Sequence, residues 1–355
     1  MRRETVDGIR VVRIPIYAAA NKAFFKRVLN YSSFWLSASM FGPFLTERPD
    51  VVVGTSPQFL TAVAALWLAR LKRVPFVFEV RDLWPRSIVE VGAMKANSPA
   101  IRVLEKIERF LYRSADHIVP VTDSFVGEIA AHGVPVEKMS VITNGVDLDL
   151  FRPRPRDEAR ARLQLPAGTL VTYAGTHGMA HGLDLVLETA KRLANDAVSF
   201  LLVGEGAEKA RLKERASAEK IGNVIFWDQQ PRDRLAHVYA ASDLCLVVLR
   251  DLPLFRTVIP SKIFEFMGAG RPILSTVDGE SRGIIERSGA GVFSPPENRD
   301  ALVQAIRDLA RDPQRLAAMG SRGREFVERN YARPALAGRY LDVLGRVAHA
   351  LPEPR

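Results

Sequence analysis

The stretch Leu170-Val171-Thr172-Tyr173-Ala174-Gly175-Thr176-His177-Gly178-Met179-Ala180-His181-Gly182 decides the fold. Its opening residues, Leu170–Ala174, are apolar or β-branched and end at glycine, the pattern of a short buried strand. The glycines then turn the chain into a helical pattern at 182–194. Strand, glycine turn and helix make the first part of a parallel βαβ unit. The device recurs one strand later, where Ser199–Val203 runs into Gly204-Glu205-Gly206 and a helix at 207–220. Further strands are expected at Asn223–Phe226, Asp243–Leu249 and Pro272–Ser275, and helices at 231–241, 261–269 and 299–310.

Toward the N-terminus the alternation continues. Short apolar runs at Ile9–Pro15, Val51–Val53, Phe76–Val80 and His117–Val121 are separated by helix-length segments around 22–45, 58–71 and 99–113. Both series point to an α/β fold with two Rossmann-like domains, which a 355-residue chain is long enough to build. Phe151-Arg152-Pro153-Arg154-Pro155-Arg156 has the composition of a linker. The expected organisation is therefore a first domain over 1–150, a second over 151–331, and a closing helix and tail over 332–355.

Composition narrows the function classes. With 47% hydrophobic and 25% charged residues, the chain is neither disordered nor a disulfide scaffold. Its one cysteine, Cys245, excludes an internal disulfide or a multi-cysteine metal site. The net charge of +10 is uneven: residues 1–113 carry 18 Lys and Arg against 9 Asp and Glu, the remainder 32 against 31. A basic first third suits an acidic partner such as a phosphorylated substrate or an anionic membrane surface. Met1–Asp7 has no apolar stretch behind its arginines and does not read as a signal peptide. Residues 22–45 combine Lys22, Lys26 and Arg27 with Phe24, Phe25, Tyr31, Phe34, Trp35, Met40, Phe41 and Phe44. That mixture suits a helix lying on a membrane surface as well as one packed in a core. No nucleic-acid recognition motif is present.

Glycine turns that follow strands and open helices leave backbone N–H groups free for a phosphate. Neither turn matches a Walker loop or G-x-G-x-x-G, which disfavours a nicotinamide-dependent oxidoreductase. In Ile259-Pro260-Ser261-Lys262-Ile263-Phe264-Glu265, Pro260-Ser261 reads as a helix start with Ser261 as cap. Lys262 and Glu265, three apart, then share one helix surface. They form either a surface ion pair or a site with Lys262 on a phosphate and Glu265 on a hydroxyl pair such as a ribose. His177 and His181 lack a third metal ligand, and Asp147-Leu148-Asp149 falls in the linker, so no metal is expected at either place.

The chain resembles glycosyltransferase family 4, retaining enzymes of the GT-B fold. It looks closest to the bacterial branch that transfers sugars such as N-acetyl-fucosamine in O-antigen and capsule synthesis. Besides the glycine turns, the resemblance rests on Phe78-Glu79-Val80-Arg81-Asp82-Leu83-Trp84-Pro85, Asn144-Gly145-Val146-Asp147 and the segment from Pro260-Ser261-Lys262 to Gly268-Ala269-Gly270-Arg271-Pro272. It implies a nucleotide-sugar donor held by the second domain, with Glu265 on the ribose. Lys262 and the amides of Thr176, His177 and Gly178, after Gly175, would hold the diphosphate. Gly204, Glu205 and Gly206 would lie near ribose and phosphates, and Gln229 and Gln230 near the base. Ser261 belongs to the same donor-binding set. Arg81 and Asp82, ending a first-domain strand, would serve acceptor positioning or proton transfer.

The chain departs from the family pattern at Thr257, where another glutamate is usual, and at Thr176 and His181, where a phosphate-binding arginine and lysine are usual. It also begins where a later strand of the first sheet would stand. The typical length of an α/β unit puts the expected shortfall at roughly fifty residues, an N-terminal β-α-β unit. The function this implies is transfer of a hexosyl or N-acetylhexosaminyl group from a UDP-sugar to a polyprenyl-diphosphate-linked acceptor, without metal or cofactor. It would take place in the cytoplasm at the inner face of the cell membrane. The alternatives are a GT-B-type nucleotide-sugar epimerase and a non-catalytic UDP-binding remnant.

Overall fold

The computed structural model describes residues 1–18, 24–92 and 94–349. The chain divides into two compact units, one of Met1–Thr143 with the end of the chain from Ala337, the other Asn144–Leu336.

In the first unit, β1 (Arg2–Val6) and β2 (Ile9–Arg13) form an antiparallel pair, with Val6 opposite Ile9 and Arg2 opposite Arg13. This corrects the expectation that Ile9–Pro15 joins the parallel sheet. The turn explains it: Asp7 and Gly8 both have positive φ, +51° and +81°, as a two-residue type I′ hairpin demands. A separate three-stranded parallel sheet is ordered β3 (Val52–Thr55), β4 (Phe76–Val80), β5 (His117–Pro120). Val77 and Val119 of this sheet pack against Val343 of the last helix, Arg333–His349.

Helix Phe24–Leu45 covers most of the segment singled out for its aromatic and basic residues and packs on helix Phe59–Lys72. Lys22 lies outside the described residues. Leu29, Leu36, Met40 and Phe44, spaced to share one helix face, are exposed. Among the described residues no helix is long and apolar enough to cross a membrane.

The second unit carries a six-stranded parallel sheet, β6 (Thr169–Ala174), β7 (Val198–Val203), β8 (Val224–Trp227), β9 (Leu244–Val247), β10 (Ile273–Ser275) and β11 (Gly291–Phe293), in the order β11-β10-β9-β6-β7-β8. Its strands are apolar on both faces because helices cover both. Along β6, Leu170 and Ala174 pack with helix residues such as Tyr239, Phe264 and Ile285. Val171 and Tyr173 point the other way, to a cluster containing Leu187, Leu212 and Ile306. The strand order reverses at β6, which has β7 on one side and β9 on the other. The C-terminal ends of those strands flank the crevice in which open α/β sheets bind ligands.

Candidate functional site

The crevice is built by turns that follow neighbouring strands. After β6, Gly175 continues the ladder by donating its N–H to the Val203 carbonyl at 2.9 Å. The turn after β7 then packs backbone to backbone on the turn after β6. A Cβ at Gly204 would lie 1.8 Å from the Gly175 carbonyl oxygen, and one at Gly206 2.3 Å from the His177 carbonyl oxygen. Gly204 also has φ +148°, a conformation side-chain-bearing residues rarely adopt. These two glycines are required by the contact between the loops. His177 fastens the contact: its N–H donates to the Glu205 carbonyl at 2.8 Å, and its own carbonyl accepts from the Glu208 N–H at 2.9 Å.

This corrects one expectation. The His177 amide is already bonded and its ring is buried without a hydrogen-bond partner among the described residues, so His177 offers nothing to a phosphate. Burial, with nearby Lys209 adding to it, pushes the His177 pKa down to about 4. His181 is also depressed to about 4, by burial and then by Lys262, so both rings are neutral near pH 7. The amides of Thr176 and Gly178, by contrast, have no acceptor among the described residues. No group of three or more His, Cys, Asp or Glu side chains among the described residues is placed to hold a metal.

Lys262 is the first residue of helix Lys262–Gly268, after β9. Its Nζ stands 4.3 Å from the centroid of the Tyr173 ring, a cation–π contact. A Cβ at Gly175 would lie only 2.5 Å from that Nζ, so the absent side chain makes room for the ammonium. Tyr173 is itself locked by donating its hydroxyl to the Thr176 carbonyl at 2.8 Å. The Lys262 ammonium has no hydrogen-bond or ion-pair partner among the described residues. Burial lowers its pKa to about 8, with Glu265 pulling in the opposite direction.

Glu265, one turn on, makes no ion pair with Lys262. One carboxylate oxygen accepts from the Tyr239 hydroxyl at 3.1 Å and the other lies 3.3 Å from Arg232. Arg232 is held over the Phe151 ring, 5.4 Å from its centroid. Burial pushes the Glu265 carboxyl up, and Arg232 opposes it. Each oxygen has one partner and keeps lone pairs for further donors. The surface ion pair is therefore absent, and what remains is an unpaired cation beside a carboxylate able to accept hydroxyls.

The other expected residues are placed differently. Ser261 is exposed and occupies the N-cap position, but with helical φ and ψ and no side-chain capping bond, which corrects its reading as a cap. A helical backbone at that position carries the hydroxyl away from the first-turn amides. Glu205 pairs with Lys209 at 2.7 Å. Gln229 and Gln230 follow β8, the edge strand two positions from β6; Gln229 is exposed and Gln230 Nε2 donates to the Asp228 carbonyl at 2.9 Å. In the first unit, Arg81 is exposed and pairs with Glu79 at 3.2 Å. The Asp82 carboxyl is pushed up by burial, against hydrogen bonds from Ser87 and the Leu83 amide. The Ser56 hydroxyl fixes this corner, accepting from the Arg81 amide at 2.9 Å and donating to the Asp82 carbonyl at 3.0 Å.

Tyr173, Arg232 and Tyr239 were not among the residues expected from sequence. Strand alternation places Tyr173 on the face opposite Ala174, a legible signal, whereas nothing local announces Arg232 or Tyr239 as partners of a residue some thirty positions on.

A parallel sheet whose strand order reverses at β6 is the architecture of α/β proteins that bind ligands at the switch point, and the chain's relatives specify which kind. The sequence profile described as "Glycosyl transferase 4-like domain" matches residues 1–145, and that described as "Glycosyl transferases group 1" matches residues 155–326. The chain belongs to this family, the family 4 glycosyltransferases of the GT-B fold, and is a glycosyltransferase. It is 27% identical over 341 residues to WcaI of Escherichia coli K12, assigned as a glycosyl transferase of colanic acid biosynthesis, covering 92% of this chain and 82% of that one. Sucrose-phosphate synthase from Thermosynechococcus elongatus superposes with a TM-score of 0.79 at 20% identity, covering 98% of this chain and 86% of that one. HepE of Anabaena, solved in complex with UDP-glucose, superposes with a TM-score of 0.72 at 16% identity, covering 91% and 84%.

Proposed function

We propose that the protein is a retaining transferase that moves a hexosyl or N-acetylhexosaminyl group from a UDP-sugar to a lipid-linked glycan acceptor in surface-polysaccharide synthesis. The observation that carries this reading is the unpaired Lys262 ammonium, held against Gly175 at the switch point with Glu265 one turn away. A cation without a counterion in a crevice attracts an anion, and the nearby amides of Thr176 and Gly178 add donors of the same sign. Lys262 takes the diphosphate and stabilises the charge that develops on it as the sugar leaves, so no metal is needed for that task. Glu265 accepts the two ribose hydroxyls. Gln229 and Gln230 are assigned to the base. On the acceptor side, Asp82 is assigned to proton transfer, since a carboxyl raised by burial is a better base, and Arg81 to acceptor positioning. The acceptor alcohol attacks from the face the nucleotide leaves. The names of WcaI and HepE's UDP-glucose complex support a polysaccharide role and a UDP-linked donor.

The exposed face of helix Phe24–Leu45, with Leu29, Leu36, Met40 and Phe44, is assigned to contact with an anionic membrane surface, and the protein to the cytoplasmic side of it; the apolar face supports the first assignment.

The test is thermal-shift titration of the chain with UDP, GDP and NAD, followed by assay of sugar transfer from UDP-sugars to polyprenyl-diphosphate-linked acceptors. A rise in melting temperature selective for UDP is expected. A preference for GDP, or no response to any nucleotide, would overturn the donor assignment. Glu265→Gln should weaken UDP and uridine by similar factors, about 10-fold, because both carry the ribose; loss for UDP alone would remove Glu265 from the ribose.

A further inference from the structure

The opposite end of the six-stranded sheet holds a second set of cations. A cavity of about 770 Å³ opens there, against the residues that lead into β6, β9 and β10. It is separated from Lys262 by the length of β6, about 20 Å for six residues. Arg156 and Arg160, four apart on helix Arg156–Leu163, line it together with Arg271 from the turn before β10.

These three guanidinium groups are not equally satisfied. Arg160 is fully engaged, donating to Asp243, to the Ala241 carbonyl at 2.8 Å and to the Gly168 carbonyl at 2.6 Å. Asp243 also accepts from the Leu170 amide at 2.7 Å and pairs with Arg156 at 2.7 Å, so this one buried carboxylate is shared by two arginines. Arg271 makes no hydrogen bond or ion pair to a carboxylate among the described residues. Its Nη2 donates to the Arg154 carbonyl at 2.9 Å, and its Nε is buried with no acceptor among the described residues. Burial depresses the Arg271 pKa; Cys245 and Asp243 oppose this, and repulsion from Arg156 and Arg160 adds a smaller depression. The remaining acid on the cavity wall, Asp157, is exposed and pairs with Arg156 at 2.9 Å. Helix Arg156–Leu163 has no side-chain cap on its N-terminus, and Asp157 and Glu158 in its first turn offset its dipole, so the cavity's positive charge rests on the arginine side chains. Leu165, Pro166, Pro272 and Leu316 give the cavity an apolar wall.

We propose that this cavity is a second ligand site, which binds a small phosphomonoester with its phosphate on Arg271 and Arg156 and its carbon body on the apolar wall. Three guanidinium groups face two carboxylates, Asp243 and Asp157, and a bound phosphate supplies the missing anion; planar guanidinium forks match phosphate oxygens. The volume exceeds what a bare phosphate fills and accommodates a hexose phosphate. The proposal does not rest on the donor assignment, because no residue of the crevice around Lys262 takes part.

Isothermal titration of the full chain with glucose 6-phosphate and with inorganic phosphate, in chloride buffer, tests it. Saturable one-site binding is expected, with the ester tighter than phosphate. Arg271→Gln and Arg156→Gln should each weaken the ester at least tenfold, and Lys262→Ala should bind it as the unaltered chain does. Arg156 has a half-exposed side chain, so Arg156→Gln supplies the reading if loss of half-buried Arg271 prevents folding. Absence of saturable binding, binding unchanged in both glutamine variants, or binding lost in Lys262→Ala would each overturn the proposal. Equal affinity for phosphate and ester would overturn the role of the apolar wall.

Discussion

Lys209 and Lys262 hold matching places in the second unit. Each is the first residue of a helix, and those helices follow β7 and β9, the two neighbours of β6. Lys209 is surrounded by oxygen: Glu205 at 2.7 Å, Asp228 at 2.5 Å and the Trp227 carbonyl at 3.1 Å. Lys262 has a tyrosine ring and a glycine beneath it and no oxygen partner among the described residues. A buried cation with a full set of acceptors contributes to holding two loops together. A half-buried cation with none costs desolvation energy, which a ligand can offset. The pair sets a lysine saturated with acceptors against one left open, the difference on which the proposed role of Lys262 rests, although both stand beside glycine turns.

Substitutions that break one side of this comparison should leave the other standing. Lys209→Met is expected to destabilise the chain by about 1–3 kcal/mol, at the low end of buried-pair losses because Glu205 and Asp228 can return to water. Its melting temperature should fall by several degrees while UDP affinity changes less than threefold; a large loss of affinity with unchanged melting would reverse the roles. Gly175→Ala would force its Cβ into the space of Lys262 Nζ at 2.5 Å and demands φ of +154°. About 1–3 kcal/mol is expected from the strained backbone together with at least a tenfold loss of UDP affinity. Calorimetry that finds UDP binding intact would show that the ammonium need not stand there.

Changing pH sharpens the comparison with a smaller effect. The Lys262 pKa of about 8 lies below the ordinary 10.5, so between those values the unfolded chain binds more protons. Through this group, ligand-free stability rises with pH across that window. UDP affinity should move the other way, highest below about pH 8 and falling above it as the ammonium is lost. A flat affinity between pH 7 and 9 in the unaltered chain would contradict the assignment.

Much of the second unit was legible in the sequence because its signals are local. The strands from β6 to β10 and their glycine turns fall within two residues of expectation, since apolar runs bounded by glycine and helix-length spacing carry both. The strand Gly291–Phe293 and the helices Glu280–Ser288 and Pro313–Asn330 were not anticipated; the strand is three residues long and the first helix is largely polar. The antiparallel pair at the N-terminus was missed although Asp7-Gly8 between β-branched residues is a hairpin signal. Within the site, Lys262 and Glu265 were found from spacing on one helix. Their surroundings were not, because Tyr173, Arg232 and Tyr239 come from other elements and meet them only through the sheet. The glycines were assigned to phosphate binding on pattern alone, whereas Gly204 and Gly206 answer to the contact between loops.

The central claim is that Lys262 is a cation reserved for a diphosphate. Calorimetric titration of the unaltered chain and of Lys262→Ala with UDP and with uridine tests it most directly. A charged hydrogen-bond partner contributes about 1.5–3 kcal/mol, so Lys262→Ala should weaken UDP by roughly 10- to 150-fold and leave uridine almost unchanged. Equal losses for both ligands, or an unchanged affinity for UDP, would contradict the account.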